Sequence, residues 1–146
     1  MRLWNTANWK MLRVMKLQPG DESNGVCAVS FSPDGSLIAA GGGYAFSKEE
    51  ESWSHGVLKI WRVSDWSEWS VMEFPEPLPA LAFSPDGAYL AYGMSYFVHL
   101  WDIKSRKEVC RFQAKSQIWD VTFSPNGARM ASASDEGTIR LWKRSK

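Results

Sequence analysis

Two histidines, two cysteines and one acidic run are the side chains in this 146-residue sequence from which catalysis or metal binding could be built. His55 follows Glu49-Glu50-Glu51 and Trp53, whereas His99 stands alone between strand-forming residues, in an alternation that predicts an outward position. Cys27 and Cys110 are 83 residues apart inside apolar runs, a spacing that excludes a CxxC site and suits thiols acting as small hydrophobes. Metal sites need ligands at short, regular spacings, and none occur. Gly41-Gly42-Gly43 precedes no helix and so lacks the anion-binding N-terminus of a phosphate loop; it reads instead as a hinge or bulge at a strand end. No enzyme, metal or cofactor is expected, and binding chemistry remains.

Binding would fall to aromatic side chains. Nine Trp are among 14% aromatics, rigid amphipathic side chains that both fill all-β cores and, when exposed, anchor interfaces. The net charge of +1, with no basic block before Lys143-Arg144-Ser145-Lys146, gives no footprint for tracking phosphates, so nucleic acid is not an expected partner. Residues 1–17 alternate apolar with polar residues, unlike a signal peptide, and no later stretch is long enough to span a membrane as a helix. A soluble chain is expected, without membrane partners; the missing leader and unpaired thiols suit the cytoplasm.

The elements that must position these aromatics are set by a repeat. Phe31-Ser32-Pro33-Asp34-Gly35 recurs as Phe83-Ser84-Pro85-Asp86-Gly87 and Phe123-Ser124-Pro125-Asn126-Gly127. Pro fixes φ, Asp or Asn bonds nearby backbone, and Gly accepts a positive φ, so each phrase predicts a hairpin turn. Two and five residues before each Phe stand aliphatic side chains: Val29 and Val26, Leu81 and Leu78, Val121 and Ile118. They predict a first strand facing a core. A second strand rich in small residues follows the turn, then a third ending in Trp61, Trp101 or Trp142, 40 and 41 residues apart. Segments 70–74 and 108–112 supply a fourth strand. The fold class is therefore all-β, in units of four antiparallel strands.

Phrase, period and terminal Trp together resemble the WD40 family of β-propellers over essentially the whole chain, with one literal Trp101-Asp102. The resemblance implies one domain: residues 1–17 as the end of a truncated blade, 18–74 as a blade with an inserted loop at 44–56, 75–113 as a second blade, and 114–146 as a third without its own fourth strand. It implies a hydrogen-bonded chain from a Gly-His through a Ser and turn Asp to the Trp. The Gly-His is missing throughout, and Ser132 with Asp135 or Glu136 could keep part of the chain around Trp142.

Closed propellers hold about four to eight blades, so three leave apolar faces and strand edges open. Either two copies form one six-bladed ring, each residue 9–17 strand completing the other copy's last blade, or the chain is part of a longer propeller. The first is favoured, although Arg2-Leu3-Trp4 duplicates the third strand ending at Trp142. The resemblance places the loops between second and third strands on the face used by partners, which are protein or peptide. Candidates there are Trp53, His55, Glu49, Glu50 and Glu51 in the insertion, which otherwise reads as a tolerated solvated loop. Tyr96 and Phe97 occupy the short loop of the second repeat. Trp119 and Asp120 begin the first strand of the third, Trp119 out of phase with the core positions and so either partly exposed or mere packing. Trp9 and Trp66, each five residues beyond a strand-ending Trp, read as structural.

Overall fold

The computed structural model describes residues 1–17, 25–48 and 51–143; for residues 44–48 and 51–54 it describes the backbone path alone. The described elements are thirteen strands, with no helix among them. β1 (Arg2–Trp4) and β2 (Met11–Val14) form a two-stranded sheet. β3 (Gly25–Phe31), β4 (Leu37–Lys48), β5 (Glu51–Arg62) and β6 (Glu68–Phe74) form the first full blade. β7 (Ala80–Phe83), β8 (Tyr89–Met94), β9 (Phe97–Asp102) and β10 (Lys107–Gln113) form the second. β11 (Ile118–Phe123), β12 (Arg129–Ser134) and β13 (Ile139–Lys143) form a three-stranded third. All pairings are antiparallel between chain neighbours.

Each Phe-Ser-Pro phrase makes the same turn. The Ser32 hydroxyl donates to Asp34 Oδ1 (2.6 Å), the N–H of Ser36 donates to that oxygen (3.0 Å), and the Leu37 N–H donates to Ser32 Oγ (2.9 Å). Gly35, Gly87 and Gly127 hold φ of +70°, +70° and +66°, where a β-carbon is disfavoured. The Ser32 hydroxyl first, then the Ser36 N–H and hydroxyl, hold the Asp34 carboxyl down at about 2 against its ordinary 3.8. A carboxyl lowered by folding stabilises above its unfolded value and loses that contribution as pH falls through the folded one. Stability should therefore fall between pH 3.8 and about 2, and Asp34→Asn should flatten that limb in chemical denaturation at stepped pH. Superimposable curves would refute the assignment. Asn126 makes the corresponding bonds without a charge to titrate.

The blades stack face to face, which is why the central sheets are apolar on both sides. On the first blade, Ile38, Ala40, Val57 and Trp61 face back to Leu3, Met15 and Leu17, while Ala39, Leu58 and Ile60 face forward to Leu78, Leu81, Phe83, Leu90 and Trp101. Ala80, Ala91 and Val98 continue forward to Ile118, Val121 and Met130. Small residues on the second strand let the next blade approach: a β-carbon on Gly93 would stand 2.5 Å from an Ile118 methyl. In the first and third copies the offset of five before the Phe is explained by bulges at Cys27 and Trp119, each of which drops one residue from the pairing, whereas Leu78 of the second copy precedes β7.

Four expectations need correction. The apolar set of the first copy is not core: Val26, Val29 and Phe31 are exposed, because the truncated blade carries no first and second strands to cover them. His99 does not point outward. It is buried like its counterpart Lys59, since the neighbouring blade covers that face as well. Cys27 and Cys110 are exposed free thiols, one on a bulge and the other on an outer strand, so neither packs as a core hydrophobe. Gly41-Gly42-Gly43 is neither hinge nor bulge but a continuous run of ladder positions opposite Leu58, Val57 and Gly56.

Candidate interaction surface

At one end of the strands lie the hairpins joining second to third strands and the links between blades. The insertion of the first blade is not an irregular loop there. β4 and β5 stay in register from Tyr44 opposite His55 to Lys48 opposite Glu51, so the added residues prolong the sheet as a two-stranded ribbon. Glu51 and Trp53 lie on its returning strand, His55 is half-buried near its base, and Glu49 and Glu50 lie outside the described residues.

The short hairpin of the second blade is tied to the link that follows. The Ala114 N–H donates to the Tyr96 carbonyl (2.7 Å) and the Ile118 N–H to that of Ser95 (2.9 Å). Ser95 holds a φ of +50°, which turns the tip and leaves Tyr96 exposed. Tyr96, Gln113, Ala114, Lys115 and Arg140 line a shallow depression of about 430 Å³. Beyond it, Trp119 is exposed, its Nε1 donating to Asp135 Oδ1 (3.2 Å), and Asp120 is exposed with Oδ1 accepting from the Val121 N–H (2.8 Å). The bulge explains Trp119: it turns outward while Ile118 and Val121 on either side stay buried. Phe97 leaves this surface. It is half-buried beside His99, with the Arg111 guanidinium 5.2 Å from its ring centroid.

The family-type chain around Trp142 is partial. Trp142 Nε1 donates to the buried Ser132 hydroxyl (3.0 Å), but Asp135 accepts from Trp119 instead, and Glu136 accepts from Thr138 and Arg140. Trp9, Trp66 and Arg106 share a positive φ at the same turn position, so the recurrence is a backbone one; Trp9 itself is exposed.

A polar pair between third and fourth strands recurs, unanticipated from the sequence. Buried Lys59 on β5 meets Glu68 on β6, and 40 residues on His99 Nδ1 meets Glu108 Oε2 (2.8 Å). His99 stacks on Tyr92 at 4.9 Å, and burial first, with the Glu108 charge second, pushes the Tyr92 hydroxyl well above its ordinary value. The common spacing of nine residues was visible in the sequence and could have revealed both pairs. They hold the outer strand to the blade. Among the described residues, no three His, Cys, Asp or Glu side chains converge as a metal ion would require. What the surface offers is exposed aromatic rings, cations and backbone edges.

A family model described as "WD domain, G-beta repeat" matches residues 10–62 and 106–143. The chain is similar to the small ribosomal subunit protein RACK1y of rice, 28% identical over 98% of this chain and 40% of the rice protein. It is similar to a U3 snoRNP-associated protein-like protein, EMB2271, of Arabidopsis thaliana, 34% identical over 84% of this chain and 25% of that protein. A third relative, pre-mRNA-processing factor 19 homolog 2 of Arabidopsis thaliana, is 40% identical over 43% of this chain and 12% of its own length. The chain thus spans less than half the length of each.

Proposed function

The chain belongs to the WD40 family, and from that premise we propose that it is a non-catalytic protein-interaction scaffold whose copies complete a propeller ring by self-association. One observation carries the reading: the two ends of the arc expose the positions that its internal seams bury. Ile139 and Leu141 are 75% and 70% exposed, whereas Leu58 and Ile60, at the same strand positions one blade from the second, are fully buried. At the other end Val29 and Phe31 are 53% and 52% exposed, against 6% and 8% for Leu81 and Phe83. Donor and acceptor halves of one seam type therefore stand on opposite ends of the same chain. Two copies joined twice in this way would contribute about six blades, within the range of closed rings. The composite end carrying Tyr96 and Trp119 would be the surface offered to a protein or peptide.

Light scattering on the purified chain across a range of concentrations is the test. A dimer mass, lost in Leu141→Glu, is the expected result; a monomer mass throughout overturns self-association. A second reading, a segment of a longer propeller, is favoured by β1, which already occupies on the first blade the third-strand place that β13 of another copy would take. Aggregating monomer would support it.

A further inference from the structure

The repeat supplies its own evidence for a ligand site. In the seam between the first and second full blades, Trp69 of β6 lays its ring edge-on to Trp101, with centroids 5.9 Å apart and planes at 87°. The Arg106 guanidinium stands 4.3 Å from the Trp69 ring centroid. Forty residues after Trp69, Val109 holds its place on β10, and 41 residues after Trp101, Trp142 holds its place on β13. The seam between the second and third blades has lost its indole. Phe112 tilts toward Trp142 (5.2 Å, 41°) but does not fill the gap, and a cavity of about 340 Å³ remains, lined by Leu100, Val109, Phe112, Phe123, Met130 and Trp142. That volume lies in the range of pockets that bury small ligands. Arg129 and Lys143 line it too, cations available to a ring face as Arg106 is to Trp69.

We propose that this notch binds a planar aromatic group, the tryptophan side chain of a peptide partner, seated edge-on to Trp142 as Trp69 is to Trp101. The occupant is specified by the preceding seam, where the chain places an indole in the same surroundings. Only the peptide nature of the partner rests on the scaffold reading; the notch itself lies inside one chain and needs no ring closure.

The test is titration of the ¹⁵N-labelled full chain with indole, following the side-chain N–H signal of Trp142, assigned with Trp142→Phe. One saturable site is expected. Val109→Trp, which fills the notch from within, should weaken indole binding by at least about tenfold, and Trp69→Val should create a second site. The peptide Gly-Gly-Trp-Gly-Gly should compete with indole where its leucine counterpart does not. An unmoved Trp142 signal, or unchanged affinity in Val109→Trp, overturns the site; indole binding without peptide competition overturns the peptide occupant. Light scattering on the same samples separates the two ideas, since a monomer that binds indole removes the ring and leaves the notch.

Discussion

Replacing Trp101 by Ala should lower the stability of the chain by about 3–5 kcal/mol, the cost of emptying a buried aromatic site. The same change at Trp4 should cost under about 1 kcal/mol, since an exposed side chain leaves no cavity. Both residues end a third strand, so a family motif alone would rank them equally. Their surroundings do not. Trp101 is buried among Leu58, Ile60, Leu78 and Leu90 with Trp69 edge-on, and so joins two blades, while Trp4 is half exposed on the truncated sheet. Against a total stability of about 5–15 kcal/mol, the loss at Trp101 is a large fraction. Urea titration measures it as a fall in midpoint at constant slope. Equal losses at the two positions would show that the seam does not hold the fold.

The strands, their order and the hairpin turns were legible because they depend on local chemistry. Pro, Asp or Asn, and Gly at fixed offsets force the same turn three times, and a Trp closes each third strand. What a sequence pattern could not show was which copy of a repeated position meets a neighbour. Val29 and Leu81 are chemically alike, yet one is exposed and the other buried, because burial is decided by the adjoining blade and not by the strand itself. The same reason misplaced His99: alternation implies one wet face, and sheets stacked on both sides have none. Of the candidate surface, Trp119 was visible as an out-of-phase aromatic. Phe97 was not separable from Tyr96, since the turn at Ser95 decides which ring faces out. The notch beside Trp142 was hidden because its signal is a substitution, Val109 for Trp69, at a position the motif leaves unconstrained.

The open ends and the closed seams follow from one rule of construction. Each blade presents large aliphatic residues on its third strand and small ones on its second to the blade after it, and aliphatic, aromatic and Trp positions to the blade before it. A linear stack of such units has one unsatisfied face of each kind whatever its length. Apolar area left in water favours pairing with a matching face. Under the self-association proposed above, interaction would be a consequence of the repeat.

Gly56→Ala should be among the most damaging of the smallest possible substitutions. A β-carbon there would stand 1.9 Å from the Glu76 carbonyl oxygen and 2.8 Å from a Leu78 methyl. Gly56 is buried and paired with Gly43 on one side and Phe74 on the other, so its own strand cannot retreat. Residue 76 belongs to the link entering the second blade, where the Leu78 N–H donates to the Gly42 carbonyl (3.3 Å) and its side chain is fully buried in the seam. The link can yield only by pulling Leu78 out of the core. Overpacking against side chains costs about 1–3 kcal/mol, and a clash with held backbone should reach about 3 kcal/mol or more. For a chain of this size that lowers the melting temperature by roughly 6–12 °C. Gly25→Ala is the matched control, with the nearest atom 3.8 Å from its β-carbon, and should move the melting temperature little in either direction. Equal melting curves for Gly56→Ala and the unmodified chain would mean that the link does not cross β5 as closely as described.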